Sequence, residues 1–86
     1  MPVKPNKPKV EVPSPQKIGR LVGEAMRCKR AILGVSQEDF AELSDQHRTY
    51  IGAIERGERN PTIHTLAQIA AAFDQTPAQF LKDAGL

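Results

Sequence analysis

Four residues between positions 48 and 53 combine chemistry suited to reading nucleic-acid bases with a shared helical face. They are Arg48, Thr49, Gly52 and Ala53. With 3.6 residues per turn, this face lies opposite the apolar Ile51 and Ile54. Arginine can donate two hydrogen bonds to O6 and N7 of guanine, and the methyl of alanine or threonine can contact the methyl of thymine. Because glycine and alanine also allow close approach to a groove floor, the face could contact base edges.

Phosphate groups require N–H donors and positive charge, and residues around this face could supply both. The amide ends of the second and fourth predicted helices present such donors, with Ser36 at the first of them. Arg56 and Arg59 add charge nearby, and we include Asn60 among the expected phosphate contacts. Two interpretations of Tyr50 stay open: it could stack or contact a phosphate, or it could be half-buried and serve only in packing.

No constellation of residues indicates catalysis. The sequence has no Ser-His-Asp set, no metal-ligand cluster and no glycine loop of the phosphate-cradling type. His47 and His64 lie too far apart along the chain to suggest a metal site, and the single cysteine excludes an internal disulfide. We therefore expect no enzyme activity, no cofactor and no metal.

Length and charge limit the remaining possibilities. The chain has 86 residues, enough for one small domain, and a net charge of +2. Residues 1–16 carry all of this excess, because residues 17–86 hold nine basic and nine acidic side chains. Any anion binding by the body must therefore depend on local placement. No apolar run suits a membrane span or a signal peptide, so we expect a cytoplasmic protein.

The N-terminal segment is rich in proline. Five of the seven prolines lie within residues 1–16, which excludes a helix and favours extended backbone. We predict a flexible arm over residues 1–14 that carries Lys4, Lys7 and Lys9. It is either a floppy tail or a basic arm that follows nucleic acid, and the sequence leaves both interpretations open.

The remainder predicts an all-α, compact five-helix bundle that forms one domain over residues 15–86. No segment has the alternation of a strand. The first helix is expected over residues 15–33 and the third over residues 48–55. The second, fourth and fifth should begin after the N-cap residues Ser36, Thr62 and Thr76.

Local signals also define the corners and the core. Asp39 and Gln79 each follow an N-cap by three residues, which predicts capping boxes. Asp45 is expected in the left-handed region at the corner between helices two and three. Apolar residues at helical spacing predict a core of Ile18, Leu21, Val22, Ala25, Met26, Phe40, Ala41, Leu43, Ile51, Ile54, Ile63, Leu66, Ile69, Ala70, Phe73, Phe80 and Leu81.

Residues 36–62, SQEDFAELSDQHRTYIGAIERGERNPT, resemble the helix-turn-helix of a large family of regulators. It is shared by lambdoid phage repressors, Cro proteins, xenobiotic-response-element-type regulators and restriction–modification controller proteins. Matching positions are Ser36, Gln37, Ala41, Ile51, Ile54, Glu55, Gly57, Asn60, Pro61 and Leu66. The resemblance covers about residues 22–81 and implies a lambda-repressor-like fold in which the third helix enters the major groove. Lys29 departs from the pattern, since relatives usually place leucine or alanine there.

The resemblance also implies individual roles. It places Arg48, Thr49 and Ala53 at base edges. Gln37 falls where an amide contacts a phosphate and steadies the first recognition-helix side chain, and His47 falls where relatives cap helix three or contact phosphate. A matching arginine–glutamate pair is implied between Arg30 and Glu55.

These features predict a sequence-specific DNA-binding transcriptional regulator, a repressor or controller, that acts as a dimer on a roughly palindromic operator. Two-fold pairing is expected because one module reads too few base pairs to be specific. Phe80, Leu81 and Leu86 are the candidates for the dimer surface. The alternative is an antitoxin or coactivator-like protein-interaction module with the same fold. A salt-dependent, sequence-selective shift with double-stranded DNA would separate the two.

Overall fold

A computed structural model of the chain describes residues 5–86. These residues form five α-helices and no strand: α1 Pro15–Leu33, α2 Gln37–Leu43, α3 Arg48–Glu55, α4 Ile63–Ala72 and α5 Pro77–Asp83. The predicted all-α bundle with its helix-turn-helix at α2 and α3 is confirmed. Residues 5–14 precede α1 without helix or strand. The start of the predicted arm, residues 1–4 with Lys4, lies outside the described residues.

Hydroxyl side chains begin four of the five helices. Each accepts a hydrogen bond of 3.0–3.2 Å from the backbone N–H three residues later, and the four are Ser14, Ser36, Thr62 and Thr76. The Thr76 N–H in turn donates to the Gln79 side-chain oxygen at 2.8 Å, which completes the predicted capping box of α5. At α2 only the Ser36 half of the box forms, because the shorter Asp39 side chain makes no return bond.

Aspartates in the left-handed region close two of the corners. Asp45 has φ 56°, as predicted, and Asp74 repeats the device with φ 57° between α4 and α5. In both cases a glutamine follows, and its N–H donates to the carbonyl five residues earlier: Gln46 at 2.8 Å and Gln75 at 2.9 Å. This pattern terminates the preceding helix and turns the chain sharply.

The core gathers one face from every helix. Its buried members are Val22, Met26, Phe40, Ala41, Ile51, Ile54, Leu66, Ile69, Ala70 and Phe80. Phe73 stacks between Phe40 and Phe80, with ring centroids 4.5 Å and 6.2 Å apart. Two predicted core residues are wrong: Leu43 is 59% exposed and Ile63 is 75% exposed. Leu43 is the last residue of α2, and the buried face of α4 begins one turn after Ile63, at Leu66.

Two glycines let α1 lie directly against the end of α3. A Cβ on Gly23 would stand 2.7 Å from the carbonyl oxygens of both Ile54 and Glu55, and a Cβ on Gly19 would stand 2.9 Å from that of Gly57. Contacts this short are incompatible with a side chain, so the close approach requires glycine at both positions. The approach fixes the C-terminal end of α3 against the body.

Lys29 connects α1 to α5 rather than extending into water. Its ammonium lies 2.7 Å from a carboxylate oxygen of Asp83 and 5.9 Å from the centre of the Phe80 ring. Gln75 donates a second hydrogen bond to the same carboxylate at 2.8 Å. The hydrogen bonds from Lys29 and then Gln75 lower the pKa of Asp83 below its ordinary value.

Candidate nucleic-acid interface

The exposed face of α3 carries the residues predicted to read bases. Arg48 and Thr49 are exposed and Ala53 is half-buried beside them. Gly52 is buried, contrary to its predicted place on the solvent face. The side chains of Arg56 and Gln37 cover it, since a Cβ there would lie 3.1 Å from an Arg56 nitrogen and 3.7 Å from the Gln37 amide oxygen. Gly52 therefore makes room for two polar side chains.

A partly buried hydrogen-bond network holds α3 in place beneath that face. Arg30 of α1 donates two bonds to the Glu55 carboxylate, from Nε at 2.8 Å and Nη2 at 3.0 Å, and a third to the Val35 carbonyl at 3.1 Å. Gln37 of α2 donates to the same carboxylate at 3.0 Å. The hydrogen bond to Glu55 raises the pKa of Arg30 further above its ordinary value. Glu55 thus joins three helices, because it accepts from both α1 and α2.

Gln37 has a role in the free protein that precedes any contact with DNA. Its amide N–H₂ group is committed to Glu55, while its amide oxygen lies over Gly52 at the side of the reading face. This geometry suits a residue that steadies its neighbours on the face. Its expected phosphate contact stays a prediction.

Clefts flank α3 on both sides. One of about 380 Å³ is lined by His47, Thr49, Tyr50, Ala53, Glu58 and Arg59. The other, of about 210 Å³, is lined by Gln37, Arg48, Thr49, Gly52 and Arg56. Thr49 lines both clefts, so the exposed face of α3 lies between them. A recognition helix must present such an exposed face to enter a DNA groove.

Carboxylates accompany two of the candidate arginines, which the sequence alone did not indicate. Arg56 Nε donates to both oxygens of Glu58, at 2.9 Å and 2.8 Å. This hydrogen bond raises the pKa of Arg56 and lowers the pKa of Glu58. Arg48 lies 3.6 Å from Glu38, beyond hydrogen-bond distance. Neither partner shares a helix with its arginine, so no helical periodicity marks these pairs.

The remaining candidates for phosphate contact differ in the contacts that their side chains already make within the protein. The Tyr50 ring is half-buried against the core, and the Arg59 guanidinium lies 5.7 Å from its centre. Asn60 donates to the Pro15 carbonyl at 3.2 Å, so its amide ties the α3–α4 loop to α1. His47 occupies the N-cap position of α3, but its imidazole makes no capping hydrogen bond.

The predicted dimer surface needs one correction. Phe80 is fully buried in the core, since its ring stacks with Phe73 and lies under Lys29. It has no exposed surface to offer a partner. Leu81 is half-buried and Leu86 is 45% exposed, so these two keep apolar surface at the C-terminal end.

Within residues 5–86, no group of three or more histidine, cysteine, aspartate or glutamate side chains could hold a metal ion. None of the helices in the same range is long and apolar enough to cross a membrane.

Comparisons with known proteins agree with this geometry. The helix-turn-helix family model HTH_3 matches residues 28–81. Over 69 residues the chain is 44% identical to the control protein C.SmaI of Serratia marcescens, covering 80% of this chain and 82% of that protein.

Solved structures give the same picture. An HTH_3 family transcriptional regulator from Vibrio cholerae superposes with a TM-score of 0.75 at 27% identity, covering 81% of this chain but 39% of that one. The restriction–modification controller protein C.Esp1396I, solved as a tetramer with its natural 35-base-pair operator, superposes with a TM-score of 0.71 at 33% identity. That alignment covers 78% of this chain and 88% of the controller.

Proposed function

Because this chain belongs to the HTH_3 helix-turn-helix family, we propose that it is a sequence-specific, DNA-binding transcriptional regulator of the repressor or controller type. In this proposal residues 15–86 form the DNA-binding domain, and residues 1–14 form an arm outside it. A cytoplasmic site of action follows from the proposed DNA target.

One observation carries the proposal: the face of α3 that lies between two clefts has Arg48 and Thr49 exposed at its start. The buried carboxylate of Glu55 holds the opposite end of the helix to α1 and α2. A recognition helix needs both properties, because base readout requires exposed donors whose backbone position is fixed. Arg48 would donate to guanine, and Thr49 and Ala53 would contact neighbouring base edges.

Phosphate contacts would surround this base-reading patch. Arg56 and Arg59 each line one of the clefts, and N–H groups at the start of α2, near Ser36, would add further donors. Gln37, His47 and Tyr50 lie at the same clefts and complete the proposed set. Asn60 is better suited to positioning the loop that carries Arg59, since its amide already binds the Pro15 carbonyl.

Dimerisation would supply the second half-site. A single recognition helix reads only a few base pairs, and a two-fold dimer doubles the readout on a roughly palindromic operator. The related controller C.Esp1396I was solved as a tetramer with its operator, and this supports the proposed self-association. Leu81 and Leu86 are the residues that we propose for this contact.

Selection of bound duplexes from random DNA tests the proposal directly. We expect enrichment of one sequence with approximate two-fold symmetry, bound more tightly than random DNA by roughly a thousandfold or more. Recovery of no preferred sequence would contradict sequence-specific binding and favour a protein-interaction module with the same fold. A parallel selection with residues 1–12 deleted should recover the same sequence, because the arm is placed outside the reading surface.

Leu81→Glu tests the dimer. A charge at this half-buried position should shift the protein toward monomer in sedimentation and weaken binding to the selected site, because association and DNA binding are coupled. Ile32→Glu is the matched control, since Ile32 is 86% exposed near the end of α1. Equal sedimentation of wild type and Leu81→Glu as dimers would remove Leu81 from the interface.

A further inference from the structure

Glu58 is an acidic side chain that lines one cleft of the surface proposed to bind an anion. We propose that Glu58 competes with DNA phosphates for Arg56, and so sets both the affinity of this surface and its dependence on salt. The inference rests on the proposed function, because it assigns a further determinant to the same DNA-binding surface.

Geometry places the carboxylate where DNA would lie. Glu58 lines the cleft beside α3 together with Thr49 and Ala53, two of the residues proposed to reach base edges. Arg56 lines the cleft on the other side of α3. Their pair, with two contacts of 2.9 Å and 2.8 Å, therefore lies across the C-terminal end of the reading helix.

The exposure of the Arg56–Glu58 pair allows Arg56 to exchange Glu58 for a phosphate. Its side chains are 60% and 51% exposed, so water screens their attraction and the bond contributes little to folding. A phosphate also has anionic oxygens, and it can accept two parallel hydrogen bonds from the same guanidinium. When Arg56 moves to a phosphate, Glu58 is left unpaired beside a polyanion. The carboxylate thus opposes binding twice, first by holding Arg56 and then by repelling the backbone.

Because the body of the protein has no net charge, one carboxylate near the bound DNA should have a measurable effect on affinity. Residues 17–86 hold equal numbers of basic and acidic side chains, so no surplus of positive charge masks a single carboxylate. With Glu58 in place, Arg56 and Glu58 together have no net charge, so their binding to DNA releases few counterions. Without it, Arg56 would act as a full cation and release about one more counterion on binding.

Glu38 provides a graded comparison. It lies 3.6 Å from Arg48, with both side chains more than 60% exposed, and no hydrogen bond joins them. The same competition should therefore operate there more weakly. We therefore expect a larger effect on DNA binding from Glu58, which is hydrogen-bonded to its arginine, than from Glu38, which is not.

The experiment measures binding to a random-sequence duplex by fluorescence anisotropy across a salt series. Glu58→Gln should tighten binding roughly twofold to fivefold at about 0.1 M salt. It should also steepen the slope of log affinity against log salt by up to about 0.9. Glu38→Gln should tighten binding less. In an Arg56→Ala background, Glu58→Gln should give a smaller gain, because the competing partner is absent.

Glu24→Gln is the matched control, because it removes the same charge from an exposed position in the groove between α1 and α5. It should change binding much less than Glu58→Gln. Equal effects of the two substitutions would overturn the proposal in favour of a general charge effect. Weaker binding by Glu58→Gln would overturn it as well, because Glu58 would then orient Arg56 for the phosphate. Absence of DNA binding by the wild-type protein would instead overturn the proposed function.

Discussion

Within residues 5–86, two hydrogen-bonded arginine–glutamate pairs lie at the C-terminal end of the recognition helix, and their burial separates their roles. Glu55 is 2% exposed and accepts hydrogen bonds from two helices. Glu58 is 51% exposed and bonds an arginine two residues away. Both pairs have contacts of 2.8 Å, so distance alone does not distinguish them. The buried pair fixes where α3 lies, and the exposed pair is free to exchange partners.

The largest effect on stability should come from breaking the buried pair. Glu55→Ala should lower the free energy of unfolding by about 3 kcal/mol, the low end for a broken buried pair, because the Arg30 side chain keeps some exposure to water. Arg30→Met should lower the free energy of unfolding further, since it leaves the almost fully buried Glu55 carboxylate without its arginine. Urea denaturation measures both values.

A double substitution sharpens this test. Arg30→Met combined with Glu55→Leu should be more stable than either single variant, because no charge is then left unpaired. DNA binding by the double variant should still fall, since Gln37 loses the carboxylate that holds it. Additive losses in stability would show that the two side chains act independently.

A smaller effect is expected at the exposed corner between α1 and α5. Asp83→Asn removes the charge that Lys29 and Gln75 both bind. Because the pKa of Asp83 is lowered in the folded state, its contribution is present above the unfolded pKa of about 3.9 and disappears as the pH falls through the folded value. The variant should melt slightly below wild type at pH 7 and match it under strongly acidic conditions. A difference that persists there would exclude this charge as the cause.

Much of the fold could be predicted because its signals are local. The hydroxyl caps at Ser36, Thr62 and Thr76 act within three residues, so the helix starts follow from the sequence alone. The left-handed corner is predicted at Asp45, and the structure repeats it at Asp74, where a glutamine also follows the aspartate.

Features that depend on distant segments could not be read in the same way. Helical periodicity placed Leu43 and Ile63 inside, but cover at a helix end depends on neighbouring elements that periodicity does not specify. It likewise gave no means of separating Phe80, a core residue, from Leu81 beside it. Gly23 appeared as an ordinary helix residue, and only the packed structure shows α3 carbonyls where its side chain would be.

The candidate site divides along the same line. The reading face of α3 could be predicted from one helix, and the Arg30–Glu55 contact from the resemblance to a known family. The approach of Glu38 to Arg48 could not, because it spans the corner between α2 and α3. Glu58 is only two residues from Arg56, but their contact depends on the loop conformation after α3, which helical periodicity does not specify.

Base reading by α3 is tested most directly at Arg48, on the preferred site and on random DNA in parallel. Arg48→Ala should cost about 1–3 kcal/mol on the preferred site and far less on random duplexes, because a base contact discriminates between sequences. Arg59→Ala is the comparator: as a phosphate contact it should weaken both alike and flatten the salt slope by about 0.9. If Arg48→Ala instead weakens all sequences equally, Arg48 is a phosphate clamp and α3 does not read DNA through it.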